Sequence, residues 1–182
     1  MSNGIVVFGL NGSGKSTLGR AVANALEYKF MDIEDYVFLE SEIPYTKQRS
    51  REEYLRLMQN DIREHDKFVL SAVKGDFGDE ISSAYRLGVF IDVPYDIRIE
   101  RVEQRMISKF GDRVKFGGDM YESEVQFLDF VKTRNVLSVE MWSETLECPI
   151  IRVDGTKEIL DNVKLIEKSY LDMLACKNRV EK

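Results

Sequence analysis

Cysteine is scarce in this 182-residue chain: Cys148 and Cys176 are the only two. Two thiols do not make a disulfide framework, and a single histidine leaves no Cys/His cluster for zinc, so a reducing, cytoplasmic setting is expected. Proline is rare as well. Pro44, Pro94 and Pro149 are scattered singly where elements should begin or end, and no Pro-rich or Ser-rich linker and no internal repeat is visible. No apolar run approaches the roughly 20 residues that span a bilayer. The apolar start, MSNGIVVFGL, has no basic flank before it and no small-residue cleavage site after it, so it reads as a first strand rather than a signal peptide. Excess positive charge is also missing. With 26 Lys+Arg against 32 Asp+Glu the net charge is −6, which argues against nucleic-acid or anionic-membrane partners while leaving room for a local basic cleft.

The chain does carry the 43% hydrophobic and 32% charged fractions of a soluble globular protein, and its length suits one domain, residues 1–182, with a substantial core. Ile5 to Phe8 is apolar and largely β-branched, as a fully buried strand should be. Leu18, Val22, Ala25 and Leu26 recur at helical spacing and predict a helix from about Lys15 to Glu27. Further strands are expected at Lys29–Met31, Phe68–Val73, Gly88–Val93 and Pro149–Val153. Helices are expected at Arg51–Glu64, from Pro94 to about Phe110, over a long apolar stripe from Val125 to Trp142 broken near Asn135, and from Ile159 to Leu174. Ser41 to Arg49 reads as loop. The alternation of strands and helices predicts a parallel sheet with helices on both faces.

The strongest motif is Gly9-Leu10-Asn11-Gly12-Ser13-Gly14-Lys15-Ser16, a full match to G-x-x-x-x-G-K-[ST] between a strand and a helix. Glycines let successive backbone N–H groups turn toward phosphate oxygens, and the helix N-terminus adds unsatisfied donors. Lys15 is a point charge for the β- and γ-phosphates, and the Ser16 hydroxyl is placed to ligate Mg²⁺. The bland alternative is a Gly-rich turn that binds nothing. A GTPase would need Asn-Lys-x-Asp and Asp-x-x-Gly motifs, and neither occurs. A hexameric ATPase module would show a hydrophobic strand ending in paired acids, whereas Phe68-Val69-Leu70-Ser71 ends in Ser.

Length, strand count and spacing resemble the small P-loop kinases of the nucleoside monophosphate kinase and shikimate kinase type. Three stretches carry the resemblance. Phe30-Met31-Asp32-Ile33-Glu34-Asp35 is similar to the Asp-x-Asp signature of shikimate and gluconate kinases, with Glu34 in the second acidic place. Val93-Pro94 followed by Arg98, Arg101 and Arg105 resembles the adenylate kinase stretch leading into the lid; Arg101 and Arg105, four apart, share a helix face. Val153-Asp154-Gly155-Thr156 sits at the junction that borders the adenine in such kinases. An acidic helix start, a solvated helix face and a capped strand–turn–helix are the corresponding structural alternatives.

The resemblance implies a three-layer α/β P-loop NTPase fold, a five-stranded parallel sheet in the order 2-3-1-4-5, and a short mobile lid over about residues 106–122. It implies transfer of the γ-phosphoryl of ATP, with Mg²⁺, to a small acceptor: a nucleotide, a nucleoside or a small hydroxy metabolite. Lys15, Arg105 and Asp32 are the candidate catalytic residues. The phosphate loop through Thr17, with Arg101, Asp154 and Gly155, would bind the nucleotide, and Ser16 and Asp32 the metal. The departures from the family patterns lie after the third strand. There Ser71-Ala72-Val73-Lys74-Gly75-Asp76-Phe77-Gly78 matches neither kinase, so the acceptor cannot be carried over. Asp32, Glu34 and Asp35 on one side, Lys74, Gly75 and Asp76 on the other, and Arg49 nearby are expected to surround a mixed-charge acceptor cleft at the carboxyl ends of the strands. The expected partner is that small molecule alone, with the protein a monomer or homodimer. The rival function is a regulatory P-loop ATPase or nucleotide switch acting on a protein.

Overall fold

Alternate residues of the first strand go to opposite sides. Ile5 and Val7 join a core with Leu18, Val22, Val163, Ile166 and Tyr170, while Val6 and Phe8 join a second core with Met58, Ile62, Val139 and Trp142. That two-residue period, apolar on both faces, is the signature of a strand in the middle of a covered sheet. Each such buried side chain contributes about 1.5–3 kcal/mol. The computed structural model describes residues 3–180, with side chains through Ala175, so Cys176 lies outside the described side chains.

The strands are β1 (Asn3–Phe8), β2 (Lys29–Asp32), β3 (Lys67–Ala72), β4 (Tyr85–Asp92) and β5 (Ile150–Asp154). They form one sheet ordered β2-β3-β1-β4-β5, and every pairing is parallel. The expected order and parallel pairing are therefore observed. Helices α1 (Lys15–Leu26) and α8 (Ile159–Val180) cover one face. Helices α3 (Arg51–Glu64) and α7 (Leu137–Ser143) cover the other, with the short α2 (Ile33–Val37) and α4 (Asp79–Ser82). The remaining pair, α5 (Tyr95–Phe110) and α6 (Tyr121–Thr133), builds a small core of its own from Ile99, Val102, Met106 and Val131. After β1 the chain crosses to β2 and β3 on one side, and later to β4 and β5 on the other. The crevice at that switch point lies above the end of β1, where the phosphate loop begins.

The long apolar stripe is broken near Asn135 as expected, into two helices: residues 134–136 part them, and the Asn135 side chain accepts from the Leu137 amide at 2.8 Å. Val125 and Val136, expected on the core side, are exposed, as is Met141, while Trp142 is buried. The lid region comprises the end of α5, a 3₁₀ turn at Gly111–Val114, and a tight loop into α6. Arg113 grips Asp119 through two nitrogens, and the Met120 amide bonds the Arg113 carbonyl.

Candidate nucleotide site

The phosphate loop is pressed between the end of β4 and the start of α5. Gly12 (φ 81°) and Gly14 (φ 90°) sit in the left-handed region, which admits glycine readily and other residues at a cost. At Gly12 a Cβ would stand 2.2 Å from the Arg98 carbonyl oxygen, whereas at Gly14 it would meet nothing within 4 Å. At Gly9 a Cβ would stand 2.8 Å from the Ile91 carbonyl oxygen. Gly14 is the N-cap of α1, so the first amides of that helix open from the loop.

Two arginines hold Asn11. Arg98, buried beneath the loop, donates to the Asn11 carbonyl at 3.2 Å, and Arg134 donates to the Asn11 side-chain oxygen at 2.9 Å. Burial lowers both guanidinium pKa values. Ser71, at the end of β3, donates to the Lys15 carbonyl at 3.0 Å and anchors the first turn of α1. The Lys15 ammonium donates to the Leu10 carbonyl at 3.1 Å. Desolvation pushes its pKa down to about 8; Glu34 and Asp32 pull it up, and Arg105 and Arg134 push it further down. The Ser13 amide is spent on the Leu10 carbonyl, and its buried hydroxyl has no hydrogen-bond partner among the described residues.

A cavity of about 340 Å³ opens above this loop. Asn11 through Leu18 form its floor, including Lys15, Ser16 and Thr17. Asp32 and Glu34 enter from the β2 end, and Ser71 to Val73 from the β3 end. Arg101 and Arg105 enter from α5, with Gly155, Lys157 and Asn162 on the far side. Asp32 caps α2 by accepting from the Glu34 amide at 3.2 Å, so one residue both ends the strand and aims the acidic pair. Arg101 is pinned to the Gly155 carbonyl at 3.1 Å. The site thus brings together Lys15, Ser16, Asp32, Glu34, Arg101, Arg105 and Gly155.

Other expected residues lie elsewhere. Arg49 turns to the carbonyl end of α2 and donates to the backbone oxygens of Asp35, Tyr36 and Phe38, so its charge is spent there. Asp35 is exposed and does not line the cavity. Lys74, Gly75 and Asp76 do not line it either. The Gly75 carbonyl accepts from the buried Tyr85 hydroxyl at 3.1 Å, and a Cβ at Gly75 would stand 2.9 Å from Val6 and 3.1 Å from Trp142, which places the segment beside α7. Asp76 borders a separate cavity with Trp142 and Cys148. The Asp154 carboxylate accepts from the Thr156 amide and hydroxyl, bonds that hold its pKa below the usual range.

A second cavity, of about 280 Å³, adjoins the phosphate cavity, and Glu34 and Arg105 line both. Phe38, Pro44, Tyr45, Thr46 and Gln48 form one wall, and Ser123, Glu124 and Phe127 of α6 the other. The 39–47 segment is closed at its base, where the Leu39 amide bonds the Lys47 carbonyl and the Arg49 amide the Val37 carbonyl. It reaches α5 through Lys109, which donates to the Tyr45 hydroxyl at 2.6 Å, and the 3₁₀ turn through Arg113, which donates to the Glu42 carbonyl at 3.2 Å. Tyr45 has φ 66°, a strained value for a tyrosine, and its ring meets Phe38 edge-on at 5.0 Å. Sequence reasoning missed Arg134, Glu124 and this second cavity. The only signal was the helix break near Asn135, which places Arg134 at the end of α6.

A model of the AAA domain matches residues 5–125, more than half of the chain. The chain belongs to the AAA-domain family of P-loop proteins. A curated relative from Bacillus subtilis (strain 168), named uncharacterized protein YqaC, is 30% identical over 171 residues, covering 90% of this chain and 94% of its own. Among solved structures, a gluconokinase from Sinorhizobium meliloti 1021 aligns with TM-score 0.53 and 22% identity over 95% of this chain and 91% of its own. A shikimate kinase from Aquifex aeolicus vf5 aligns with TM-score 0.53 and 21% identity over 95% and 98%. The fold of this AAA-domain chain is thus that of the small P-loop kinases, and its P-loop implies nucleotide binding. No helix among the described residues is long and apolar enough to cross a membrane.

The donors in the phosphate cavity suit Mg²⁺. Ser16, Asp32 and Glu34 offer hard oxygens, and no group of three or more His, Cys, Asp or Glu among the described residues forms a cage of its own. Mg²⁺ is typically held by one or two carboxylates together with substrate phosphates, which is what this donor set allows.

Proposed function

We propose that the protein is a small-molecule kinase that moves the γ-phosphoryl group of ATP to the hydroxyl of a small acceptor. The observation that supports this reading is the junction at Glu34 and Arg105. A nucleotide hydrolase needs only the phosphate cavity, whereas here a second cavity adjoins it across the shared Glu34 carboxylate and Arg105 guanidinium. In this reading the loop amides, Lys15 and Arg105 take up the charge that spreads over the transferring oxygens. Arg134 keeps Asn11, and with it the loop, in shape. Mg²⁺ held by Ser16 and Asp32 would neutralise charge between the phosphates.

The acceptor oxygen bonds to the γ-phosphorus as the bond from phosphorus to the bridging oxygen breaks. ADP leaves with that electron pair, and the hydroxyl proton passes to the Glu34 carboxylate. No covalent enzyme intermediate is required. Holding both reactants in adjoining cavities supplies much of the rate by orientation. The partner is then a small molecule, neither nucleic acid nor membrane. A regulatory ATPase acting on a protein is the second reading, favoured by the AAA-domain family description. Acceptor-stimulated ADP release, measured over nucleosides, nucleoside monophosphates, shikimate and sugar acids, tests the choice. A phosphorylated product supports the kinase, and ADP release insensitive to every acceptor supports the ATPase.

A further inference from the structure

The second cavity has a chemistry of its own. Its only lining cation is Arg105, which it shares with the phosphate cavity, while two carboxylates, Glu34 and Glu124, face that one charge. Lys109 stands behind Tyr45, 4.8 Å from the ring centroid, and is not part of the lining. The hydroxyls point the same way. Thr46 gives its proton to the Ile43 carbonyl at 2.6 Å and Ser123 to the Met120 carbonyl at 2.9 Å, so what they have left is lone pairs. The Gln48 amide, the Tyr45 hydroxyl and Arg105 supply donors, so the bias of the cavity lies in its charge: two carboxylates against one guanidinium leave a surplus negative charge. A phosphate or carboxylate group would compete for the one guanidinium against two carboxylates and meet net repulsion. A ligand with O–H and N–H donors would pair with the Glu34 and Glu124 carboxylates and with the Thr46 and Ser123 lone pairs. Partial burial raises the Glu124 carboxyl pKa, against the pull of Arg105, as expected of an acid that lacks a close cation of its own.

The rest of the wall is apolar and ringed. Phe38, Tyr45 and Phe127 bring three aromatic side chains to a cavity of about 280 Å³, near the lower end of ligand pockets, about 300 Å³. Aromatic walls of this size suit one flat or ring-shaped group, stacked or edge-on. The strained backbone of Tyr45 and its bond to Lys109 hold one of those rings in place.

We infer that the acceptor is an uncharged molecule joining a ring to several hydroxyl or amine donors, of the nucleoside class, bound between the 38–48 segment and α6 with one hydroxyl at Glu34 and Arg105. This deepens the kinase reading and rests on it. It also moves the acceptor away from the Lys74–Gly78 loop.

The test pairs binding with turnover on the full chain. Calorimetry with nucleosides and with their own 5′-monophosphates, in the presence of Mg²⁺ and a non-hydrolysable ATP analogue, reads the cavity without requiring catalysis. Nucleosides should bind at least tenfold more tightly than their monophosphates. Glu124→Gln should narrow that ratio at least fivefold and Glu124→Lys should narrow it further or invert it, with affinity for the ATP analogue unchanged. A merely structural role for Glu124 would weaken both ligands alike. Tighter binding of monophosphates, shikimate or gluconate by the wild type would overturn the inference, as would no binding of any nucleoside. If nucleosides bind as expected but none releases ADP, the cavity assignment stands and the kinase reading fails.

Discussion

Gly12→Ala should be clearly more destabilising than Gly14→Ala, although both replace a phosphate-loop glycine at nearly the same positive φ. At Gly14 the new methyl meets nothing within 4 Å, so the cost is backbone strain alone, about 1–2 kcal/mol. At Gly12 the same strain applies, and the methyl also lands 2.2 Å from the Arg98 carbonyl oxygen and 2.9 Å from its carbon. Backbone cannot swing aside as a side chain can, so the loop or the start of α5 must shift, for a further 1–3 kcal/mol or so. In a chain of this size each kcal/mol moves Tm by roughly 2–4 °C. The expected losses are then about 2–8 °C for Gly14→Ala and about 4–20 °C for Gly12→Ala, read by thermal and urea unfolding without nucleotide. Adding Arg98→Ala should not rescue Gly12→Ala, because the clash is with main chain. Equal destabilisation of the two glycine variants, or rescue by Arg98→Ala, would refute the account of the loop as pressed against α5. Gly12→Ala should also weaken nucleotide binding beyond Gly14→Ala, since a shifted loop misdirects its amides.

Desolvation by burial lowers the Lys15 ammonium pKa to about 8 without nucleotide. The side chain is charged below that pH and neutral above it, while bound phosphates raise its pKa. Nucleotide affinity should therefore be flat below about pH 7.5 and fall as pH rises through 8 and beyond, with proton uptake on binding; an affinity rising over that range would contradict the placement. Arg134→Ala removes the bond to Asn11 and a charge beside Lys15. It should lower kcat or ATP affinity at least tenfold and raise the pKa of Lys15, visible as a shift of the same pH profile to higher pH. Ser71→Ala should cost about 1 kcal/mol in urea unfolding for the lost bond to the Lys15 carbonyl, a typical buried hydrogen bond. Asp32→Asn keeps a side-chain oxygen to cap α2 and should fold normally, yet weaken Mg²⁺-dependent turnover while sparing metal-free nucleotide binding.

The elements legible in the sequence are those whose information is local. Helix α3 begins and ends where its apolar spacing and its Ser50–Glu53 capping box place it, at Arg51 and Glu64. Strand β1 declares itself through an apolar run buried on both faces, and the phosphate loop through glycines whose positive φ leaves little choice of residue. Sheet order followed from resemblance, since parallel strands are joined by long crossovers that no local pattern records. What tertiary structure alone decided is which charges share a cavity. Arg49 and Asp76 lie close in sequence to cavity residues, yet Arg49 is taken up by the carbonyls of α2 and Asp76 borders a separate cavity beside Trp142 of α7. Arg134 and Glu124, unremarked in the sequence, reach the loop and the second cavity because α6 ends and packs where it does. That second cavity draws on residue 34, residues 38–48, residue 105 and residues 123–127. A site assembled from four separated stretches leaves no spacing to read, because its geometry comes from the packing of α5 and α6 on each other and on the 39–47 loop.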